Sequence, residues 1–185
     1  MNRMFSAALM LALLAAVPAV AQNHGLHGVS EQANPPSPYS GMETRSVKAL
    51  SDDQIADLEA GRGMGLALSA ELNGYPGPSH VLELAEALSL TSKQATHTRE
   101  LLGQMKAVTI PLGKRLIKEE AELDRLFAER TITTTRLIEM TKAIADVQGA
   151  LRTAHLRYHL DMVQLLTPEQ VRRYSQLRGY AGSAN

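Results

Sequence analysis

The residues best suited to chemistry are two histidines four positions apart, His155 and His159. In a helix this spacing puts both imidazoles on one face, where they can share a metal ion. Two imidazoles do not fill a coordination sphere. His80, Glu83, His97 and Glu100 are the candidates for the remaining ligands, with Glu86 beside them. His80-x-x-Glu83 and His97-x-x-Glu100 each set an imidazole and a carboxylate on one helical face. Nitrogen and oxygen donors without sulfur suit Zn, Ni, Co or Cu(II). The competing reading is local: a partly buried His155 on an apolar stripe, next to a surface His159, each hydrogen-bonded to its surroundings. His24 offers a separate site. If the chain is cut after Ala21, a free amine, two amide nitrogens and this imidazole can wrap Cu(II) or Ni(II) in a square plane.

Signatures of catalysis are missing. His155-Leu-Arg-Tyr-His159 lacks the glutamate of the H-E-x-x-H zinc proteases, so no general base accompanies the pair. No G-x-S-x-G elbow and no cysteine nucleophile is present. Gly61-Arg62-Gly63-Met64-Gly65 shares only its glycine content with a phosphate loop, because no Lys-Ser/Thr pair follows it. The expected activity is therefore binding, with no enzyme function and no required cofactor.

The elements that would position these residues read as helices. Ser51, with Gln54 three residues on, opens a short one. A second stretch spans about 64–72 and ends at Asn73-Gly74, and Tyr75-Pro76-Gly77-Pro78 is a turn. A third runs from about 79 to 88. A long helix over about 92–129 carries the stripe Leu101, Met105, Val108, Leu112, Leu116, Leu123 and Leu126, with Pro111 predicting a kink but no break. A second long helix over about 135–165 has the stripe Leu137, Thr141, Ile144, Gln148, Leu151, His155, Tyr158, Met162 and Leu165. A last short helix starts at Pro168. No segment alternates like a strand. The expected fold is all-α, an antiparallel hairpin of two long helices with shorter flanking helices. Each long helix of ~35 residues spans ~50 Å. The pair makes a thin, cradle-like layer that a second copy can cover, so a homodimer is expected.

Composition sets the surroundings. Arg3, the apolar run 7–17 and Ala19-Val20-Ala21 form a secretory leader, residues 1–21, with an A-x-A cleavage site. Proline-rich residues 22–48 read as a flexible arm, 49–180 as the helical domain and 181–185 as a loose tail. No segment of the mature chain is apolar enough to span a membrane. Basic and acidic residues balance at 19 each, and no tryptophan is present. Nucleic acid is thus a poor partner, since phosphate neutralisation needs a basic excess. With no cysteine, an exported chain is held together by packing alone.

Two pentapeptides share one phrase: Leu90-Thr91-Ser92-Lys93-Gln94 and Leu166-Thr167-Pro168-Glu169-Gln170. Each reads as a capping box, with the Thr hydroxyl taking a first-turn N–H and the Gln reaching back to the cap. In an exported, helical, cysteine-free chain, paired Leu-Thr-x-x-Gln boxes resemble the Spy/CpxP family of periplasmic proteins. Leu90, Thr91, Gln94, Leu166, Thr167 and Gln170 carry the likeness. It implies a periplasmic, dimeric, all-helical stress-response protein. Such a protein acts as an ATP-independent chaperone for unfolded or envelope proteins, or as an adaptor for a sensor kinase. The related ZraP/CnrX heavy-metal resistance group implies the alternative, a metal sensor or metal-binding protein, with His155 and His159 in place of that group's histidine pair. The block from Ala60 to Pro78 departs from the family's chaperone pattern.

Overall fold

The computed structural model of the chain describes residues 37–180, and these are helical with one isolated β-bridge, Val47 to Leu50. The expected leader, cleavage site and loose tail, and His24, lie outside the described residues. Six α-helices follow in order: α1 (Asp52–Ala60), α2 (Leu68–Glu71), α3 (Pro78–Glu83), α4 (Ser92–Ala128), α5 (Thr134–Leu165) and α6 (Pro168–Leu177). None is long and apolar enough to cross a membrane.

Local chemistry sets most of these boundaries. Ser51, Thr91 and Thr167 each close a full capping box with the glutamine three residues on. Thr133 caps α5 by accepting from the Arg136 N–H. Gly61 ends α1 in the left-handed region at φ 67°. α4 runs as one helix through Pro111.

Packing of α4 against α5 organises the core. Leu101 and Met105, early in α4, share a cluster with Tyr158 and Met162, late in α5, joined by Val81, Leu88, Leu166 and Tyr174. Leu116, further along α4, shares a second cluster with Ile144, Val147 and Leu151, covered by Val47, Leu50 and Leu58. α1 lies so close to α4 that a Cβ on Gly113 would collide with the Leu58 carbonyl. A hydrogen atom is all the crossing admits there.

Several boundaries differ from the sequence reading. The arm expected over 22–48 is ordered in its last part, where residues 42–44 form a 3-10 turn and Val47 is a core residue. The helix expected over 64–72 shrinks to α2, because Met64 (φ 43°) and Gly65 (φ 83°) leave the right-handed helical region. The helix expected over 79–88 stops at Glu83, after which Ala85 and Ser89 bond three residues back instead of four. On α4, Val108 is 45% exposed and falls off the predicted stripe. On α5, Thr141 and Gln148 are exposed, while Met140, Val147, Ala154 and His159 are buried. The buried face of α5 is wider than one stripe because it meets α4 together with α2 and α3.

Candidate functional site

The two threonine-glutamine boxes lie 76 residues apart in sequence and meet side by side. Each glutamine first serves its own cap: Gln94 Oε1 accepts from the Thr91 N–H at 3.0 Å, and Gln170 Oε1 from the Thr167 N–H at 2.9 Å. The two amides then bond each other reciprocally. Gln94 Nε2 donates to Gln170 Oε1 at 2.9 Å, and Gln170 Nε2 donates to Gln94 Oε1 at 3.1 Å. The second donor of each goes to a backbone carbonyl, Leu165 O for Gln94 and Leu88 O for Gln170. Both nitrogens give two hydrogens and each oxygen takes at least two, the Thr91 hydroxyl adding a longer third at 3.3 Å to Gln94 Oε1, so each amide is used to its full capacity. A glutamate in either place would lack the donors and oppose an acceptor. This clasp locks the start of α4 to the joint between α5 and α6, and no polar group in it is left over for a ligand.

A second polar cluster has the opposite character. It lines a cavity of about 230 Å³ formed by residues 63–65, Ala67, Leu68, Glu71, residues 77–80, Met105, His155, His159, Arg178 and Tyr180. Glu71 is buried, 8% exposed. Its Oε1 accepts a short hydrogen bond from the Tyr174 hydroxyl and a longer one, 3.3 Å, from Tyr180. Arg178 Nε stands 3.6 Å from the same oxygen. Glu71 Oε2 has no hydrogen-bond partner, with His159 Nδ1 3.8 Å away. That nitrogen is taken by the Tyr75 carbonyl at 2.6 Å, so it donates, and a neutral His159 keeps its lone pair on Nε2. The Nε2 of His155 is buried without a partner. Burial, and secondarily the neighbouring His159, pushes the His155 pKa below its ordinary value, favouring a neutral ring. Burial and the adjacent Glu71 raise the Tyr174 hydroxyl.

The glycines give the two imidazoles their room. A Cβ on Gly77 would stand 2.9 Å from His159 Cε1, and one on Gly63 would stand 3.6 Å from His155 Nδ1. Pro76 and Pro78, on either side of Gly77, are fully buried. The sequence marks this stretch as a turn, and the structure packs it over α5 as the wall of a cavity.

His155 and His159 line one cavity, and His159 is buried, not at the surface. His80 reaches the same cavity but bonds Glu83 at 3.1 Å, and its imidazole holds that carboxyl below its usual range. His97 and Glu100 bond each other at 3.1 Å, exposed beside Lys93 and Leu165, and do not line the cavity. Glu86 is exposed as well. Among the described residues no three His, Cys, Asp or Glu side chains converge to hold a metal ion. The residues that the sequence reading missed are Glu71, Tyr174, Arg178 and Tyr180. Nothing local marks Glu71, whose hydrogen-bond partners lie 103 or more residues away.

Comparison with protein-family models, with curated proteins and with solved structures returned no match.

Proposed function

We propose that this chain is a periplasmic stress-response protein of the Spy/CpxP type. In this reading it binds unfolded or partner envelope proteins on a helical surface, without ATP, as a chaperone or as an adaptor for a sensor kinase. The observation that carries the reading is the reciprocal bond between Gln94 and Gln170. It accounts for glutamine, and not any helix-capping residue, closing both Leu-Thr-x-x-Gln boxes. In the proposed architecture α4 and α5 form a helical hairpin, cradle-like and paired with a second copy. Leu68, Leu72, Phe127, Ile138 and Leu160 are each more than half exposed and supply apolar contacts for a client. The action is binding, not catalysis.

The test is aggregation of a chemically denatured client, diluted into buffer without ATP. Equimolar mature protein is expected to suppress light scattering. No suppression at several-fold excess overturns the chaperone reading.

The alternative, a periplasmic heavy-metal sensor or resistance protein, is favoured by His155 and His159 opening on one cavity with Glu71. Calorimetric titration with Zn, Ni, Co and Cu(II) tests it. Micromolar binding lost in a His155→Ala/His159→Ala variant supports it, and binding that survives moves the metal to His24.

A further inference from the structure

We infer that the cavity between Gly63 and Tyr180 is a binding site for an aliphatic cation, an ammonium or guanidinium group carried on a short apolar chain. The inference does not rest on the chaperone reading. Its starting point is a set of buried polar atoms without partners, a carboxylate oxygen among them. Glu71 Oε2 is a buried carboxylate oxygen with no hydrogen-bond partner. Arg178 Nε stands 3.6 Å from the other oxygen and itself makes no hydrogen bond. With Nδ1 donating to Tyr75 O, Nε2 of a neutral His159 ring is a further acceptor. His155 adds a second imidazole to the same wall. A buried carboxylate oxygen without a donor is costly, by ~1–3 kcal/mol or more for a charged group. An N–H-rich cation removes that cost.

The walls select the rest of the ligand. Met64, Leu68, Met105 and Pro78 present apolar surface next to the acceptors, as the methylene stem of an alkylamine requires. The volume, about 230 Å³, falls below the ~300 Å³ lower end of drug-sized sites, which favours a short chain. A bare metal ion fits less well. Metal bonds of ~2.0–2.2 Å demand closely convergent donors, and among the described residues no three converge. Hydrogen bonds of ~2.9 Å from a forked or three-donor head reach acceptors set further apart. Two sources present this chemistry: a free amine or guanidine, and a lysine or arginine side chain of a bound protein.

The experiment is calorimetric and thermal titration of the full chain with pentylamine and butylguanidine. Pentanol controls for the chain, and tetramethylammonium for charge without N–H donors. Saturable binding of the first two, with a rise in Tm, and none of the controls is expected. Glu71→Gln keeps an acceptor for the Tyr174 hydroxyl and is expected to weaken binding at least tenfold. Gly63→Ala adds a methyl at ordinary contact distance from His155, so it folds, and is expected to weaken binding several-fold by narrowing the cavity. A peptide with one central lysine and its norleucine counterpart separate the sources. Binding of the lysine peptide alone, with the free probes silent, assigns the cation to a partner protein. The inference is overturned if neither the probes nor the lysine peptide binds at millimolar concentration. It is also overturned if both variants bind as tightly as the native chain, or if Zn binds and the cations do not.

Discussion

Two polar clusters sit at opposite ends of one scale of completeness. Around Gln94 and Gln170, each amide hydrogen and each oxygen lone pair has a partner, and the network closes on itself. Around Glu71 and His155, buried polar atoms of both side chains have none. Both clusters join segments far apart in the chain, so distance in sequence does not separate them. A satisfied buried network specifies one arrangement of the backbone. An unsatisfied one costs stability, and natural folds concentrate such costs at binding sites. The clasp is a closed structural joint, and the cavity is where the proposed cation would bind.

Substitution tests this contrast, beginning at the clasp. Gln94→Glu removes two donors and sets a carboxylate oxygen against Gln170 Oε1 and the Leu165 carbonyl. Stripping partners from buried groups costs ~1–3 kcal/mol each; these amides are half-buried, so a loss of about 2 kcal/mol in urea unfolding is expected. A change below about 1 kcal/mol would mean that the two boxes are independent caps. Next comes Gly77→Ala, whose methyl would meet His159 at 2.9 Å. Displacing that ring is expected to cost about 2 kcal/mol, in the range for overpacking, and to shift the His159 imidazole signals in NMR.

A smaller effect separates the two clusters by sign. His155→Leu removes a buried ring nitrogen that lacks a partner, so stability at pH 7 is expected to stay within about 1 kcal/mol of the native chain. The pH dependence should change more. The folded pKa of His155 lies below its ordinary 6.5, so the unfolded chain binds the extra proton first. Its contribution is complete above pH 6.5 and is lost as pH falls toward the folded value. Acidification should therefore destabilise the native chain more than His155→Leu, as read by Tm against pH. Equal slopes would remove His155 from the account. The smallest change expected is His97→Ala, which breaks an exposed pair with Glu100 worth under ~0.5 kcal/mol. It should leave cation binding at the cavity untouched.

How much of this was legible varies residue by residue. The Ser51, Thr91 and Thr167 caps were readable because the residues involved lie within one turn of each other. The start of α4 at Ser92 and the end of α5 at Leu165 followed from the same local rules. His155 and His159 were recognisable as one face, since a spacing of four is a helical neighbour wherever the helix sits. The depth of that face was not, because burial of His159 depends on Gly77 passing over it. Glu71 gave no signal at all. Its meaning lies in Tyr174, Tyr180, Arg178 and His159, none of them near it in sequence.

By itself the sequence determined the helical character, the caps, the stop at Gly61 and the placing of both glutamines at first turns. Those follow from hydrogen bonds and periodicities that close within four residues. Tertiary structure alone decided that the two glutamines face each other and that Val108 points to solvent. It also decided that a glycine-proline turn forms a wall over two imidazoles, and that a carboxylate is buried with one oxygen unmatched. Each of these depends on which segments share a volume, and short-range propensity carries no information about that.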